Sequence, residues 1–308
     1  MKFQGIGSAY IFCFVALLCA QAYAVSYTNG INDSSWRSEL SVFECKLIQS
    51  VPYYGEAIFK TRAGEALGFR LKAKTSRFKS GEADVVSKSP LWKHHIDTEA
   101  LGSVPVKKSK LPVLLGYLRA EKMLSELNKG MELEFVRDAW YENEENPPVH
   151  LAINSIGFRE QYRKYLECLA SLLPANFDQL KRTSLYFAVN LPQADDELSA
   201  KVRQRLDNIL QLIKHDSKIR FLYIDGHASA PADRAHNLAL SKTRADLVEQ
   251  YLTRRGIPQD WITKRWHGER YPVSPNYSAK GRAKNRRVTV RLERIEEIEV
   301  LPLAANDK

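Results

Sequence analysis

The stretch Asp225-Gly226-His227-Ala228-Ser229, continued by Asn237-Leu238-Ala239-Leu240-Ser241 and Arg244-Ala245, decides the fold of the second half of the chain. Just upstream, Phe221-Leu222-Tyr223-Ile224 is a short apolar run with strand propensity. Downstream, residues 235–255 repeat with helical period and stop at Gly256, before Pro258. On that helix Asn237, Ser241 and Arg244 fall at i, i+4 and i+7, on one side, next to an apolar face of Leu238, Ala245, Val248 and Leu252. An amide, a hydroxyl and a guanidinium are thereby set beside the end of a strand. That set suits a compact polar ligand carrying a carboxylate, which the planar guanidinium grips through two parallel hydrogen bonds. A solvated helix face with a Ser/Arg pair has the same spacing, so the spacing alone leaves both readings open.

Around this unit the second half alternates. Residues 185–189 have strand character, and strand 219–224 leads into the helix just described. Between them Leu198, Val202, Leu206, Ile209 and Ile213 mark one apolar stripe on a helix, with Asp195, Asp196 and Glu197 favourably placed at its positive end. A strand at 262–267, a short helix at 279–285 and a strand at 287–292 complete the set. The order is β-α-β-α-β-α-β, which predicts an α/β two-layer domain over 182–294, a sheet backed by helices. The tail 295–308 is acidic, then small and polar, and is expected to be flexible.

The first half differs in kind, so 308 residues divide into two domains. Short strand-like segments dominate 25–174, among them Glu56-Ala57-Ile58-Phe59, Leu67-Gly68-Phe69-Arg70-Leu71 and Met131-Glu132-Leu133-Glu134-Phe135. Turns at Thr61-Arg62-Ala63-Gly64 and Asn146-Pro147-Pro148 divide them. One helix is expected at 114–128, stopped by Gly130, and Leu151-Ala152-Ile153 reads as a last strand. Phe158, Tyr162, Tyr165, Leu169 and Leu172 then follow at helical spacing up to Pro174. The expectation is a mostly antiparallel β domain with a closing helix, and a linker at 175–181.

Residues 1–24 read as a signal peptide: Lys2, then an apolar core from Ile6 to Ala20, then Ala22-Tyr23-Ala24 as a small-x-small cleavage site ahead of Val25. Cys19 is preceded by Leu18, where lipid modification needs a small residue. The mature chain has no run of roughly 20 apolar residues, so no transmembrane segment is expected in it. Export removes Cys13 and Cys19 and leaves Cys45 and Cys168 in a compartment where disulfides persist. One disulfide is the simplest use of that pair, two separate buried thiols being the alternative. The bond would close a loop worth around 4 kcal/mol in chain entropy. Two cysteines cannot build a four-ligand zinc site, and no metal or cofactor is expected.

The formal net charge is +10, and its densest run is Lys280, Arg282, Lys284, Arg286 and Arg287. Such a run suits an anionic partner. Export and the lack of a recognition-helix or stacking-platform pattern argue against nucleic acid and for an anionic wall polymer. A wall hydrolase using His94 and His95 lacks support: neighbouring strand residues point to opposite sides, and no His-Glu-x-x-His or nucleophile elbow accompanies them. The protein is not expected to be an enzyme.

Three blocks in order carry a family resemblance: Gly226-His227 with Asn237, Leu240-Ser241 and Arg244-Ala245; Gly268 with Pro272 and Asn276; and Gly281-Arg282 with Asn285-Arg286-Arg287-Val288. Together they resemble the OmpA-like peptidoglycan-binding domain. The resemblance implies a non-catalytic domain that holds the diaminopimelate of the wall stem peptide, with Arg244 gripping and Asn237 and Arg287 shaping the pocket. Gly226, His227, Ser229 and Ser241 complete the expected peptidoglycan-binding set. At the fourth residue of the family's Gly-His-Thr-Asp this chain has Ser229, so the ammonium-binding carboxylate is replaced by a hydroxyl; Asp225 and Asp233 are the nearest acids in sequence. Trp266 stands where many relatives have glycine.

The first half adds Trp36, Phe43-Glu44-Cys45-Lys46-Leu47, Pro52, Gly55-Glu56-Ala57-Ile58-Phe59, Arg62-Ala63, Leu124-Ser125-Glu126-Leu127-Asn128-Lys129-Gly130 and Cys168. With these the whole chain is similar to the MotY family of periplasmic flagellar-motor proteins. That resemblance implies a first domain associated with basal-body ring proteins and a second that helps fix stator units to the wall. Its implied location is the periplasm, at the basal body and outer envelope. Both mature cysteines match that family's pair. A general envelope-stabilising wall-binding protein without a flagellar role shares every feature of the second half and is the alternative.

Overall fold

The computed structural model describes residues 26–30, 35–90, 93, 97–138, 148–188, 198–229 and 232–295. The signal peptide, His94 and His95, Asn146-Pro147 of the expected turn, Asp195-Asp196-Glu197 and the tail beyond Ile295 lie outside the described residues.

In chain order, β1 (Ser26–Tyr27), β2 (Trp36–Leu40), β3 (Glu44–Val51), β4 (Gly55–Arg62), β5 (Gly68–Ala73), β6 (Gly81–Lys88), β7 (Glu99–Val106), β8 (Val113–Leu115), α1 (Tyr117–Asn128), β9 (Glu132–Arg137), β10 (Val149–Ile153) and α2 (Phe158–Ser171) build the first half. The strands form two five-stranded sheets, β1-β10-β9-β6-β7 and β2-β3-β4-β5-β8. Every pairing is antiparallel except β1 with β10. Alternation sets which side is buried: Cys45, Leu47 and Val51 of β3 point inward with Ala57 and Phe59 of β4. Phe59 meets Phe69 at 4.8 Å, and Phe69 stacks on Phe135 of the other sheet at 5.8 Å. Each such fully buried ring contributes about 2 kcal/mol or more over an exposed one.

Helix α2 closes one side, packed on β2 and β3 through Phe158, Tyr165 and Cys168. Cys168 forms a disulfide with Cys45, Cα to Cα 6.0 Å, which links the last helix of the domain to β3. The helix expected from residue 114 begins at Tyr117 instead. Leu114 pairs with Arg70 at the centre of β8, and Gly116 is the N-cap. The apolar run 113–115 leads straight into the helical pattern, so the strand captures residues that periodicity assigns to the helix.

The second half contains α3 (Phe177–Leu180), β11 (Arg182–Tyr186), α4 (Ala200–His215), β12 (Ile219–Gly226), α5 (Arg234–Thr253), β13 (Ile262–Trp266), α6 (Ala279–Asn285) and β14 (Arg287–Arg294). Its sheet runs β11-β14-β12-β13, with β12 and β13 parallel and the other pairs antiparallel. The α4 stripe of Val202, Leu206, Ile209 and Ile213 packs into one core with Leu185, Leu222, Ile224, Val288 and Val290. From α5 the core receives Ala245, Val248 and Leu252, but not Leu238, which is 41% exposed. Asn237, Ser241 and Arg244 take the sector facing inward, and Leu238, about 100° further round the helix, is turned to the rim.

Residues 175–181 are built into a joint. Asn176 and Gln179 form a reciprocal capping box on α3. The Asn176 amide also donates to the Ala63 carbonyl at 3.0 Å, and Gln179 Nε2 donates to the Gly64 carbonyl at 2.9 Å. On the other side the Leu292 amide donates to the Lys181 carbonyl at 3.0 Å, and the Arg294 guanidinium lies 3.8 Å from the centre of the Phe177 ring. Ala63 and Leu173 of the first half belong to the apolar cluster of the second.

Candidate functional site

Strand β12 ends against the middle of α5. A Cβ on Gly226 would lie 2.1 Å from the Ser241 carbonyl oxygen, so only glycine permits this approach. The backbone then turns away: the His227 amide donates to the Arg287 carbonyl at 2.9 Å, and the Ala228 amide to the Gly268 carbonyl at 2.8 Å. Residues from β12, α5, β14 and the loop after β13 are thereby gathered at one end of the sheet.

Arg244 lies at their centre, 1% exposed. Its Nη1 donates to the His227 carbonyl at 3.3 Å and its Nη2 to the Ala188 carbonyl at 3.4 Å, while the guanidinium carbon sits 5.8 Å from the centre of the Phe187 ring. Its Nε has no hydrogen-bond partner among the described residues. Burial, and secondarily the charge of Arg286, pull its pKa down to about 10, so it stays cationic at neutral pH. Arg287 donates through Nη2 to the Tyr271 carbonyl at 3.2 Å, and its Nη1 is likewise buried without a partner among the described residues. Burial lowers the Arg287 pKa as well.

His227 is buried, with its ring stacked on that of His267 at 5.0 Å. Burial, then the charges of Arg287 and His267, push its imidazole down to about 4, so it is neutral at pH 7. Asn237 donates to the Ala232 carbonyl at 2.8 Å, and its Oδ1 is buried and unpartnered among the described residues. Ser241 has a different part. Its hydroxyl donates to the Leu238 carbonyl at 2.8 Å and accepts from the Gly268 amide at 3.0 Å, clamping α5 to the loop after β13. Ser229 is half-buried beyond His227.

The two acids nearest in sequence are engaged elsewhere. Asp225 is held by Arg265 through both carboxylate oxygens, at 2.7 and 3.0 Å, and by His267 Nε2 at 3.0 Å. Burial works to raise its pKa, but the hydrogen bonds from Arg265 and His267 outweigh burial and hold it below the ordinary value. Asp233 caps α5, accepting from the His236 amide at 2.9 Å. The arrangement is therefore two buried guanidiniums with spare N–H groups, a neutral imidazole and a spare amide oxygen. It can hold an anionic, planar group such as a carboxylate. No cluster of three or more metal-ligating side chains occurs among the described residues.

Sequence reasoning missed Phe187, Arg265, His267 and Tyr271, which shape this end of the sheet. Tyr271 sits in an irregular loop with no periodicity to expose it, and His267, placed by the strand pattern at the end of 262–267, falls just past β13, where nothing local marks it as a partner of Asp225.

Residues 27–174 match the MotY N-terminal domain, and residues 192–286 match the OmpA family. The sodium-type flagellar protein MotY of Vibrio parahaemolyticus is 26% identical over 286 residues, which cover 91% of this chain and 95% of that protein. Outer membrane protein A of Yersinia pseudotuberculosis is 38% identical over 104 residues, 33% of this chain and 30% of that protein. The crystal structure of the peptidoglycan-associated lipoprotein from Burkholderia pseudomallei aligns with 36% of this chain and 89% of its own, at 22% identity and a TM-score of 0.32. Both matched families are structural and non-catalytic. The chain joins a MotY-type N-terminal domain to an OmpA-like C-terminal domain, and the MotY-like relation extends over most of its length.

Proposed function

We propose that this chain is a non-enzymatic periplasmic component of the flagellar motor. Its first domain associates with basal-body ring proteins, and its second holds the stem peptide of peptidoglycan, so that stator units are anchored to the wall. The observation carrying the wall contact is the buried Arg244 guanidinium, kept charged and with an unpartnered Nε at the end of β12. A buried charge without a carboxylate is costly to the fold, and a ligand carboxylate offsets that cost. The flagellar part is supported by the MotY-type first domain and by similarity along almost the whole length to a flagellar protein.

Deleting the gene, then imaging basal bodies and scoring swimming, tests this reading. Expected are loss of ring density, loss of swimming, and co-sedimentation of the purified chain with peptidoglycan sacculi. Normal swimming with intact wall binding would instead establish a general envelope-stabilising role.

A further inference from the structure

Of the non-glycine residues with left-handed backbone, Tyr271 (φ 61°) lies at the site just described. A tyrosine held there is strained relative to relaxed backbone. The ring contributes little to the core in return, being 66% exposed. Its surroundings are nonetheless rigidly built. Buried Asn285 accepts from the Val273 and Ser274 amides at 2.9 and 3.1 Å and donates to the Ser274 carbonyl at 2.7 Å. Arg282 holds the Asn276 and Tyr277 carbonyls at 2.9 and 3.0 Å. Arg287 fixes the carbonyl of Tyr271 itself, and His267 meets the Tyr271 ring edge-on at 5.4 Å. The loop between β13 and α6 thus presents the strained Tyr271 ring exposed on an ordered support, with Val273 and Tyr277 exposed further along it.

That ring leads to the Arg244 site through two imidazoles: His267, against which it packs, stacks on His227 at 5.0 Å, and the His227 carbonyl accepts from Arg244. Arg287 also ties the Tyr271 backbone to that of His227. A stem peptide of three residues spans at most about 10 Å, so a carboxylate near its far end brings the sugar that bears it to the rim of the same site. A pyranose has an apolar C–H face and a polar edge, which match the face and hydroxyl of one tyrosine. Val273 and Tyr277 of the same loop are exposed as well, and the following helix carries Lys280, Arg282 and Lys284, so docking of a protein is the outcome that the test below separates from a sugar contact.

We infer that Tyr271 is a stacking subsite for an amino-sugar ring of the wall glycan, acting beside the Arg244 carboxylate grip. This rests on the proposal that the second domain binds peptidoglycan.

The test is calorimetric titration of the purified full chain with two probes: a disaccharide-tripeptide muropeptide and the same tripeptide without sugar. The muropeptide is expected to bind about tenfold tighter. Tyr271→Gly removes the ring while suiting the left-handed backbone. It should bring the two affinities together with the tripeptide affinity unchanged, whereas Tyr271→Phe keeps most of the difference. Equal weakening of both probes would make Tyr271 a support for Arg287, and an unchanged ratio would remove the sugar contact; either overturns the inference while leaving wall binding intact. An unchanged ratio with lost swimming would mark a protein-docking residue instead. Failure of the unsubstituted chain to bind either probe would overturn the wall-binding proposal itself, and this inference with it.

Discussion

Gly226 and Ser241 meet backbone to backbone: the space a side chain would need at Gly226 is taken by the Ser241 carbonyl oxygen, which would lie 2.1 Å from a Cβ at that position. This contact seats β12 on α5 and so fixes where the Arg244 guanidinium lies relative to the His227 carbonyl. Gly226→Ala must push strand and helix apart, which costs about 2–3 kcal/mol or more. Chemical denaturation of the second domain should show that loss, and sacculus binding should fall with it. A Gly226→Ala domain of unchanged stability would contradict the geometry.

Arg244→Gln separates binding from stability. Glutamine keeps donors but drops the charge, so co-sedimentation with sacculi should weaken about tenfold to a hundredfold, as expected for a lost charge-assisted contact. Arg244→Lys should recover it only in part because the planar fork is gone. Stability should move the other way. Among the described residues no carboxylate pairs with this buried guanidinium, so Arg244→Gln should melt at the same temperature or a few degrees higher. A large drop in melting temperature would identify Arg244 as a structural residue first.

The elements of the second domain are legible in sequence because their apolar residues fall on one side. Leu198, Val202, Leu206, Ile209 and Ile213 announce α4 without tertiary information, and all five are buried. The site is legible only as a motif. On α5 hydropathy points to Leu238, yet the buried sector holds Asn237, Ser241 and Arg244. Their burial depends on contacts with Gly226, Gly268 and Ala188, which no local window contains. The short strand β8 escapes for a related reason: three residues carry too little period to stand apart from the helix that follows.

His227 should make the second domain acid-sensitive. Its folded pKa, about 4, lies below the ordinary value of 6.5, so the unfolded chain binds the extra proton more readily. Its stabilising contribution is complete above pH 6.5 and is lost as pH falls toward 4, by at most about 3 kcal/mol. Unfolding free energies of the unsubstituted chain and of His227→Gln, measured between pH 7 and 4, should differ in slope, with the variant flatter. Parallel curves would mean that the imidazole is not held neutral.

The Cys45–Cys168 bond closes a loop with a sequence separation of 123. A closed loop of about that length stabilises by roughly 4–5 kcal/mol on the chain-entropy estimate. Cys45→Ser with Cys168→Ser should therefore lower the stability and cellular abundance of the protein more than its affinity for sacculi, since both residues lie outside the site around Arg244. Sacculus binding lost in a folded double variant would show that the first domain contributes to the wall contact.

The joint around α3 should make the two halves unfold together. Gly64 has φ 70°, and a Cβ there would fall 2.2 Å from Gln179 Oε1 and 2.9 Å from the Ala175 Cα. Gly64 is therefore the turn residue that lets the capping box at Asn176 and Gln179 reach the first half. Asn176→Ala removes the cap and the bond to Ala63, at about 1 kcal/mol for the cap alone. Calorimetry should give one cooperative transition for the unsubstituted chain and a broadened or split one for Asn176→Ala or Gly64→Val. Limited proteolysis should then cut the variants between residues 174 and 182 faster than the parent. On the flagellar role proposed above, swimming under increased viscosity is the functional readout, because a loosened joint would weaken force passed from the first half to a wall-bound second half. Two independent transitions in the unsubstituted chain would show that α3 tethers the halves without coupling them.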